Sequence, residues 1–539
     1  MSTSNNNSNS NPVNRILIVG GGTAGWLTAA YLARHLKATP QSGMQITVVE
    51  SKEIGIIGVG EGTFPSIRTT LAAIGISEAR FIRECHATFK QGIHFANWLH
   101  DPRTQPHSYF HPFSLPSQRP EGPELLPYWL LGVADKSLGQ PVPFARAATL
   151  QQGIADAAHA PKRLGDRDFV GPMNYAYHFD ASRFAVLLCE HAKTLGVQQI
   201  LANVERVQLN EDGAIQSVIT AESGALQADL YIDCSGFRAK LIDEALGSKF
   251  TSLNDVLFVD RALAIQVPYR DNQLQGAIPS YTISTAHQAG WTWDIGLQQR
   301  RGVGYVFSSR HTSEDEAEQV LRNYLQGTNG PRFEEASPRL LKLNVGYRET
   351  QWIKNCVAVG LSGGFLEPLE SSGVGLIESA LYYLTHLLPH HGDLAPAARQ
   401  FNALMKARYE RIVDFIKLHY CLSQRRDSRF WIDNVDPQSI PESLQDRLAQ
   451  WKSRAPHRLD FVTDLEMYPP SSWQYVLYGM EYKTDLSASH ALYPRAEEAA
   501  REFQTIRKLA AHALTDLPTH RALINHILAG TPAQACAAA

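Results

Sequence analysis

The sequence predicts an α/β fold with a mixed sheet, followed by a mainly helical C-terminal region. Three observations predict it. The run ILIVGGGTAGWLTAAYLARHL, from Ile16, reads as a buried strand, a glycine turn and a helix, and QITVVES (Gln45 to Ser51) as the next strand of a βαβ unit. Further on, VERVQLNEDGAIQSVIT reads as a hairpin turning at Asp212-Gly213, and ADLYIDCSG as a buried strand entering a second glycine turn. Beyond about Phe401 the apolar spacing is helical almost to the alanine-rich end.

At 539 residues the chain is too long for one ordinary core. Residues 1–13, polar and rich in Asn and Ser, are expected to form a disordered tail, 14–400 a cofactor-binding module and 401–539 a helical covering region. Inside the module, 100–173 is rich in Pro, His and aromatics with little periodicity, which predicts a long irregular insertion. FAVLLCEHAKTLG, from Phe184, is an amphipathic helix, and no internal repeat is present.

Hydrophobic residues make up 44% and charged residues 19%, the balance of a globular protein. With 50 basic and 53 acidic residues, the formal charge of -3 gives no electrostatic reason to expect nucleic acid or an anionic membrane as partner. No apolar run reaches the roughly 20 residues of a membrane helix, and the first residues lack the order of a signal peptide. Cys85, Cys189, Cys234, Cys356, Cys421 and Cys536 show no C-x-x-C spacing. Neither a disulfide framework nor a metal site is expected, and a reducing cytoplasm fits.

Gly20-x-Gly22-x-x-Gly25 directly follows the first strand, and Thr23 and Ala24 open the helix. Glycines there permit a tight turn and let backbone N–H groups approach a pyrophosphate at the helix N-terminus. Glu50 ends the second strand, where a carboxylate can accept hydrogen bonds from a ribose. A structural glycine turn is the bland reading, but strand, helix and terminal acid together point to a dinucleotide in a Rossmann-like fold. FAD is favoured over NAD by two segments. YIDCSGF, with Asp233 and Gly236, has the shape of a second strand-to-glycine turn, and CVAVGLSGGFLEPLESSG, with Leu361, can bring a helix N-terminus to the flavin end. GVGEGT at Gly58, which includes Gly60, is only a near miss to a second fingerprint. No second nucleotide site is therefore evident, and reducing equivalents are expected from outside.

The chain resembles the flavin-dependent tryptophan halogenases. VGGGTAGW at Val19, GVGEGTFPSI at Gly58, ATFKQGIHFANW at Ala87, GWTWDIG at Gly290 and GLSGGFLEPLESSG at Gly360 carry the likeness, with HFDASRF (His178 to Phe184) and YIDCSGF. Lys90, at the end of FIRECHATFK, reads by itself as a solvated lysine closing a helix. The resemblance makes it the residue that holds the active halogen, either by hydrogen-bonding hypohalous acid or as a haloamine. Glu370 reads by itself as a carboxylate at a helix N-terminus. The resemblance makes it the acceptor of the proton leaving the halogenated ring, supported by Ser371. Backbone amides at Ser372 and Gly373 are then a candidate halide nest. Trp291, Trp293 and Ile295 match the W-x-W-x-I wall that keeps substrate from the flavin, although alternating aromatics also suit ordinary core. His111 and Phe113, in YFHPF, resemble pocket-lining residues, with loop packing as the bland reading.

The resemblance implies that reduced FAD, supplied by a separate flavin reductase, reacts with molecular oxygen and a halide ion to make hypohalous acid for a small aromatic substrate. A homodimer is compatible with it. Two departures from the family pattern stand out. Gly296 replaces a proline after W-x-W-x-I, and Asp460 to Tyr482 looks shortened where the family anchors the amino-acid end of tryptophan. Indole or a larger indole compound is therefore expected in place of free tryptophan. A flavin-dependent aromatic monooxygenase is the alternative, yet the Gly-Asp pairs at Gly165 and Gly392 are not placed as in those enzymes. A non-catalytic flavin carrier would not need Lys90 and Glu370 together.

Overall fold

The computed structural model describes residues 13–38, 42–52, 60–269, 276–328, 337–389 and 391–530. Apart from Val13, the expected tail at 1–13 lies outside the described residues, as do Gly58 and Val59 of GVGEGT and Cys536.

The strand Arg15–Val19 is buried from Ile16 onward. It sits inside a six-stranded sheet, parallel to Gln45–Glu50 on one side and Leu230–Asp233 on the other. Such a position is covered on both faces, which explains the unbroken apolar run. Gln198–Leu201 and Cys356–Ala358 extend the sheet in parallel, and Trp352–Ile353 closes it antiparallel, so the sheet is mixed. Helices Thr23–His35, Ala181–Thr194 and Ser372–Leu387 belong to this layer, the first packing against both others. The expected hairpin pairs Val204–Leu209 with Ile215–Thr220, and Gly213 turns it at φ +82°.

A second, seven-stranded sheet runs Arg339–Lys342, Arg261–Pro268, Arg300–Phe307, Gly290–Gly296, Thr282–Ala286, Gly92–Ala96, Ser108–Pro112. Only Thr282–Ala286 beside Gly92–Ala96 is parallel. A small antiparallel sheet places Ala176–Asp180 between Gly60–Gly62 and Thr88–Lys90.

The segment 100–173 is not irregular throughout. It contains the strand Ser108–Pro112 and helices Leu125–Leu130, Val133–Leu138, Phe144–Ala148 and Gln151–Asp156. Helices of five or six residues complete too few turns to show a periodicity. No described strand follows Gly364–Phe365, and the C-terminal region is helical. Its expected start at 401 falls inside the helix Ala395–Cys421, whose Phe401, Ile412 and Phe415 join one core with Trp26, Phe95 and Trp291. The five described cysteines are free. No described helix is long and apolar enough to cross a membrane.

Candidate active site

The glycine turn opens onto a cavity of about 810 Å³, within the usual span of cofactor sites, roughly 300–1,000 Å³. Gly20 has φ +117°, and a Cβ there would lie 2.2 Å from the Cys234 carbonyl oxygen, so only glycine lets the two turns meet. A Cβ on Gly21 would fall 1.5 Å from a Glu50 carboxylate oxygen, which shows how closely Glu50 folds over the turn. Gly22, Thr23 and Ala24 face the cavity with Glu50, Gly60, Gly236 and Leu361. The open turn, the helix N-terminus and the acid at one end fit a flavin dinucleotide.

Two predicted cofactor residues stand elsewhere. Gly25 lies behind the turn, where a Cβ would strike the Gly20 carbonyl oxygen at 1.8 Å; it serves helix-to-strand packing. Asp233 is fully buried, and its carboxylate accepts from the amides of Ser235, Leu241 and Ile242 and from the Ser235 hydroxyl. It shapes the second turn, while the neighbouring Cys234, Ser235 and Gly236 form the wall. Glu61, beside Gly60, also faces the cavity and was missed because GVGEGT is only a partial fingerprint.

The wall strand Gly290–Gly296 contributes Trp293 and Ile295 to the cavity, and Trp293 packs where a Gly304 side chain would be. Trp291 does not reach it. Its indole N–H donates to Glu367 Oε1 at 3.2 Å, where the Tyr420 hydroxyl also donates. Gly296 stays paired with Arg301, and its carbonyl accepts from Thr88 Oγ1 at 2.6 Å.

Lys90 does not close a helix. The helix Glu78–Glu84 ends before His86, which has φ +49°, and Lys90 belongs to the strand Thr88–Lys90, paired with Ala176. Its side chain is fully buried. Nζ donates to Ser371 Oγ at 2.7 Å and to the Thr63 carbonyl at 3.3 Å, and lies 5.2 Å from the centre of the Phe113 ring. Burial pushes Lys90 down to about 7, opposed by the charge of Glu370. Ser371 is at once a cavity wall and the partner of Lys90. It holds a left-handed backbone (φ +59°) between the turn Pro368–Glu370 and the helix Ser372–Leu387, and its hydroxyl makes no bond to that helix. At Gly62 a Cβ would come within 3.0 Å of Ser371 Oγ and 3.2 Å of Nζ, so a side chain there would press on both. Gly373 lines the cavity and Ser372 is buried behind it.

Glu370 lies in the adjoining protein interior, 1% exposed. His111 Nδ1 is 3.0 Å from both carboxylate oxygens, His419 Nε2 is 3.0 Å from Oε1, and the Tyr468 hydroxyl donates to the Glu370 carbonyl. Burial acts to raise this carboxyl, but the charges and hydrogen bonds of His111 and His419 outweigh it and hold it down to about 2. His111 is thus a direct partner of Glu370, and Phe113 stacks toward Lys90. His419 was missed: it sits 49 positions from Glu370, in a helix whose DFIKLHY pattern reads as core. Within Asp460 to Tyr482, Tyr475 donates to the Ser114 carbonyl, and Tyr478 pairs with Thr484.

A profile of the tryptophan halogenase family matches residues 15–493. The chain is 34% identical to the tryptophan 6-halogenase SttH of Streptomyces toxytricini, over 94% of this chain and 96% of that protein. Among solved structures, a tryptophan halogenase from Shewanella frigidimarina superposes with a TM-score of 0.90 at 41% identity, covering 96% of this chain and 98% of its own. The flavin-dependent halogenase BrvH from Brevundimonas sp. BAL3 does so with a TM-score of 0.82 at 34% identity, covering 95% and 99%. With that likeness, and with a cavity at the glycine turn joined through Ser371 to a buried lysine and a nearby paired glutamate, the chain belongs to the tryptophan halogenase family and is a flavin-dependent halogenase.

Proposed function

We propose that this enzyme halogenates indole or a simple substituted indole, with hypohalous acid held at Lys90 and Glu370 accepting the proton that leaves the ring. The observation that carries the reading is the fully buried Lys90 Nζ fastened to the cavity wall by Ser371. Reduced FAD, delivered by a separate flavin reductase, supplies the electrons with which molecular oxygen converts halide to hypohalous acid.

Gly22, Thr23, Ala24, Gly236 and Leu361 hold the flavin, with Glu50 toward its ribose, and amides at Ser372 and Gly373 bind halide at a helix N-terminus. Trp293 and Ile295 keep the aromatic substrate out of the flavin cavity. An ammonium has three donors. Two of those on Lys90 go to Ser371 and Thr63, which leaves one to hold and polarise the oxidant. Confinement matters because free hypohalous acid attacks indiscriminately. Phe113 and His111 help to shape the aromatic subsite beside Lys90 and Glu370. Tyr468, Tyr475 and Tyr478 have their hydroxyls engaged internally, which supports a site without an anchor for an amino acid's charges.

Mass spectrometry of products from an indole panel, with a flavin reductase and chloride or bromide, tests this. Halogenated indoles are expected. Hydroxylated products independent of halide would overturn it.

A further inference from the structure

The contact between Glu370 and His419 contains a proton whose place can be worked out. His419 Nδ1 lies 2.9 Å from the Phe415 carbonyl oxygen, one helical turn back. A carbonyl only accepts, so Nδ1 carries a hydrogen. Nε2 then faces Glu370 Oε1 at 3.0 Å across a contact that requires one more proton. Either His419 is an imidazolium beside a carboxylate, or a neutral acid donates to a neutral ring. The symmetric approach of His111 Nδ1, 3.0 Å from each oxygen, matches a carboxylate.

We propose that His419 is a positioning residue that stands as an imidazolium and so keeps the buried Glu370 a carboxylate. The inference rests on the reading of Glu370 as acceptor of the ring proton: the C–H electron pair returns to the ring and the proton passes to a Glu370 oxygen. A neutral Glu370 has no such place to offer.

Two other buried carboxyls act as internal controls. Glu367, three residues earlier, is held by the Tyr420 hydroxyl and the Trp291 indole, and Glu378 by the hydroxyls of Ser66 and Thr70. Their direct donors are neutral, and burial pushes both up to about 7, against a smaller opposing effect of the Lys417 charge at Glu367. Glu370 is equally buried and goes the other way. Besides the two histidines, the titratable groups facing it are Lys90 from its strand, Tyr109 from the strand of His111, and Tyr468. Around His419 the remaining neighbours are the rings of Phe95, Trp98, Tyr109 and Phe415.

The test compares wild type with His419→Leu and His419→Gln, measuring kcat and KM for halogenation of indole from acid to alkaline pH, with flavin binding on the same samples. Lys90 is present in all three, so the ratio of variant to wild-type kcat reports the charge of Glu370, acting directly and through its effect on Lys90. The ratio is expected to rise about tenfold per pH unit on the acid side, as for one ionising group, and then to level, with KM and flavin affinity unchanged. His419→Gln donates without charge, so it should behave as His419→Leu does, and it decides alone should His419→Leu not fold. A ratio independent of pH, or a wild-type profile in His419→Gln, would overturn the proposal. Infrared spectra at neutral pH give a readout without turnover. Over the carboxylic-acid bands that Glu367 and Glu378 already give wild type, an additional band should appear in His419→Gln and vanish in His419→Gln combined with Glu370→Gln. That band in wild type, or its absence from His419→Gln, would refute the role of His419. Absence of halogenated product from wild type would count instead against the proposed substrate chemistry.

Discussion

The ammonium of Lys90 and the hydroxyl of Ser371 meet at 2.7 Å, and that hydroxyl belongs to a residue on the cavity wall. The cavity and the buried lysine therefore touch through that side chain. Ser371→Ala should lower halogenation about 10- to 100-fold, the order expected for losing a hydrogen bond to a charged group. Flavin affinity should be unchanged. Product assay beside a flavin titration checks both.

Lys90→Met should abolish halogenation and leave flavin binding intact, because Lys90 does not line the cavity. Retained halogenation would remove Lys90 from its role. Glu370→Gln should reduce the rate strongly but less completely, since water or a neighbour can take the proton.

Stability should respond to Lys90→Met with a definite sign. Burial lowers Lys90 from 10.5 to about 7 in the folded protein. Between those values the unfolded chain binds the additional proton, so stability rises with pH. The cost of the buried ammonium is full below about pH 7 and is lost as pH climbs toward 10.5. Denaturant titrations should show the variant more stable than wild type by about 1–4 kcal/mol at or below neutral pH. The gap should close in alkali. A gap that widens with pH would contradict the assignment.

Purified protein with FAD, NADH, oxygen and bromide should form no product until a flavin reductase is added. The single complete dinucleotide fingerprint motivates this. Turnover without reductase or chemical reductant would rule out a two-component system.

Indole should be halogenated faster than tryptophan when both compete in one reaction, with C3 preferred. Tryptophan's ammonium and carboxylate would need partners on leaving water. A product ratio favouring tryptophan would reveal an anchor outside the Asp460 to Tyr482 stretch.

The glycine turn, the βαβ unit and the hairpin were legible because local chemistry dictates them. Lys90 and Glu370 were singled out only through the surrounding motifs. A lysine in a strand and a glutamate before a helix have no local signature of their own. The strand at Lys90 was misread because its partner, Ala176–Asp180, is distant in sequence. Asp233 shares the signature of a ligand-binding acid, but bonds to Leu241 and Ile242 show it to be a structural one. His419 was invisible for the same reason that it matters. Its partner lies in another element, and nothing in a helix pattern reports which buried polar group it meets.

The bond from Thr88 to the carbonyl of Gly296 has a consequence for redesign. It fastens the strand bearing Trp293 and Ile295 to the strand bearing Lys90, two residues along. Reshaping that wall to admit bulkier compounds would therefore shift Lys90 as well. The freer place to alter is the helix Pro470–Gly479, whereas Phe113 donates its backbone N–H to the Gln91 carbonyl beside Lys90 and holds its ring 5.2 Å from Nζ.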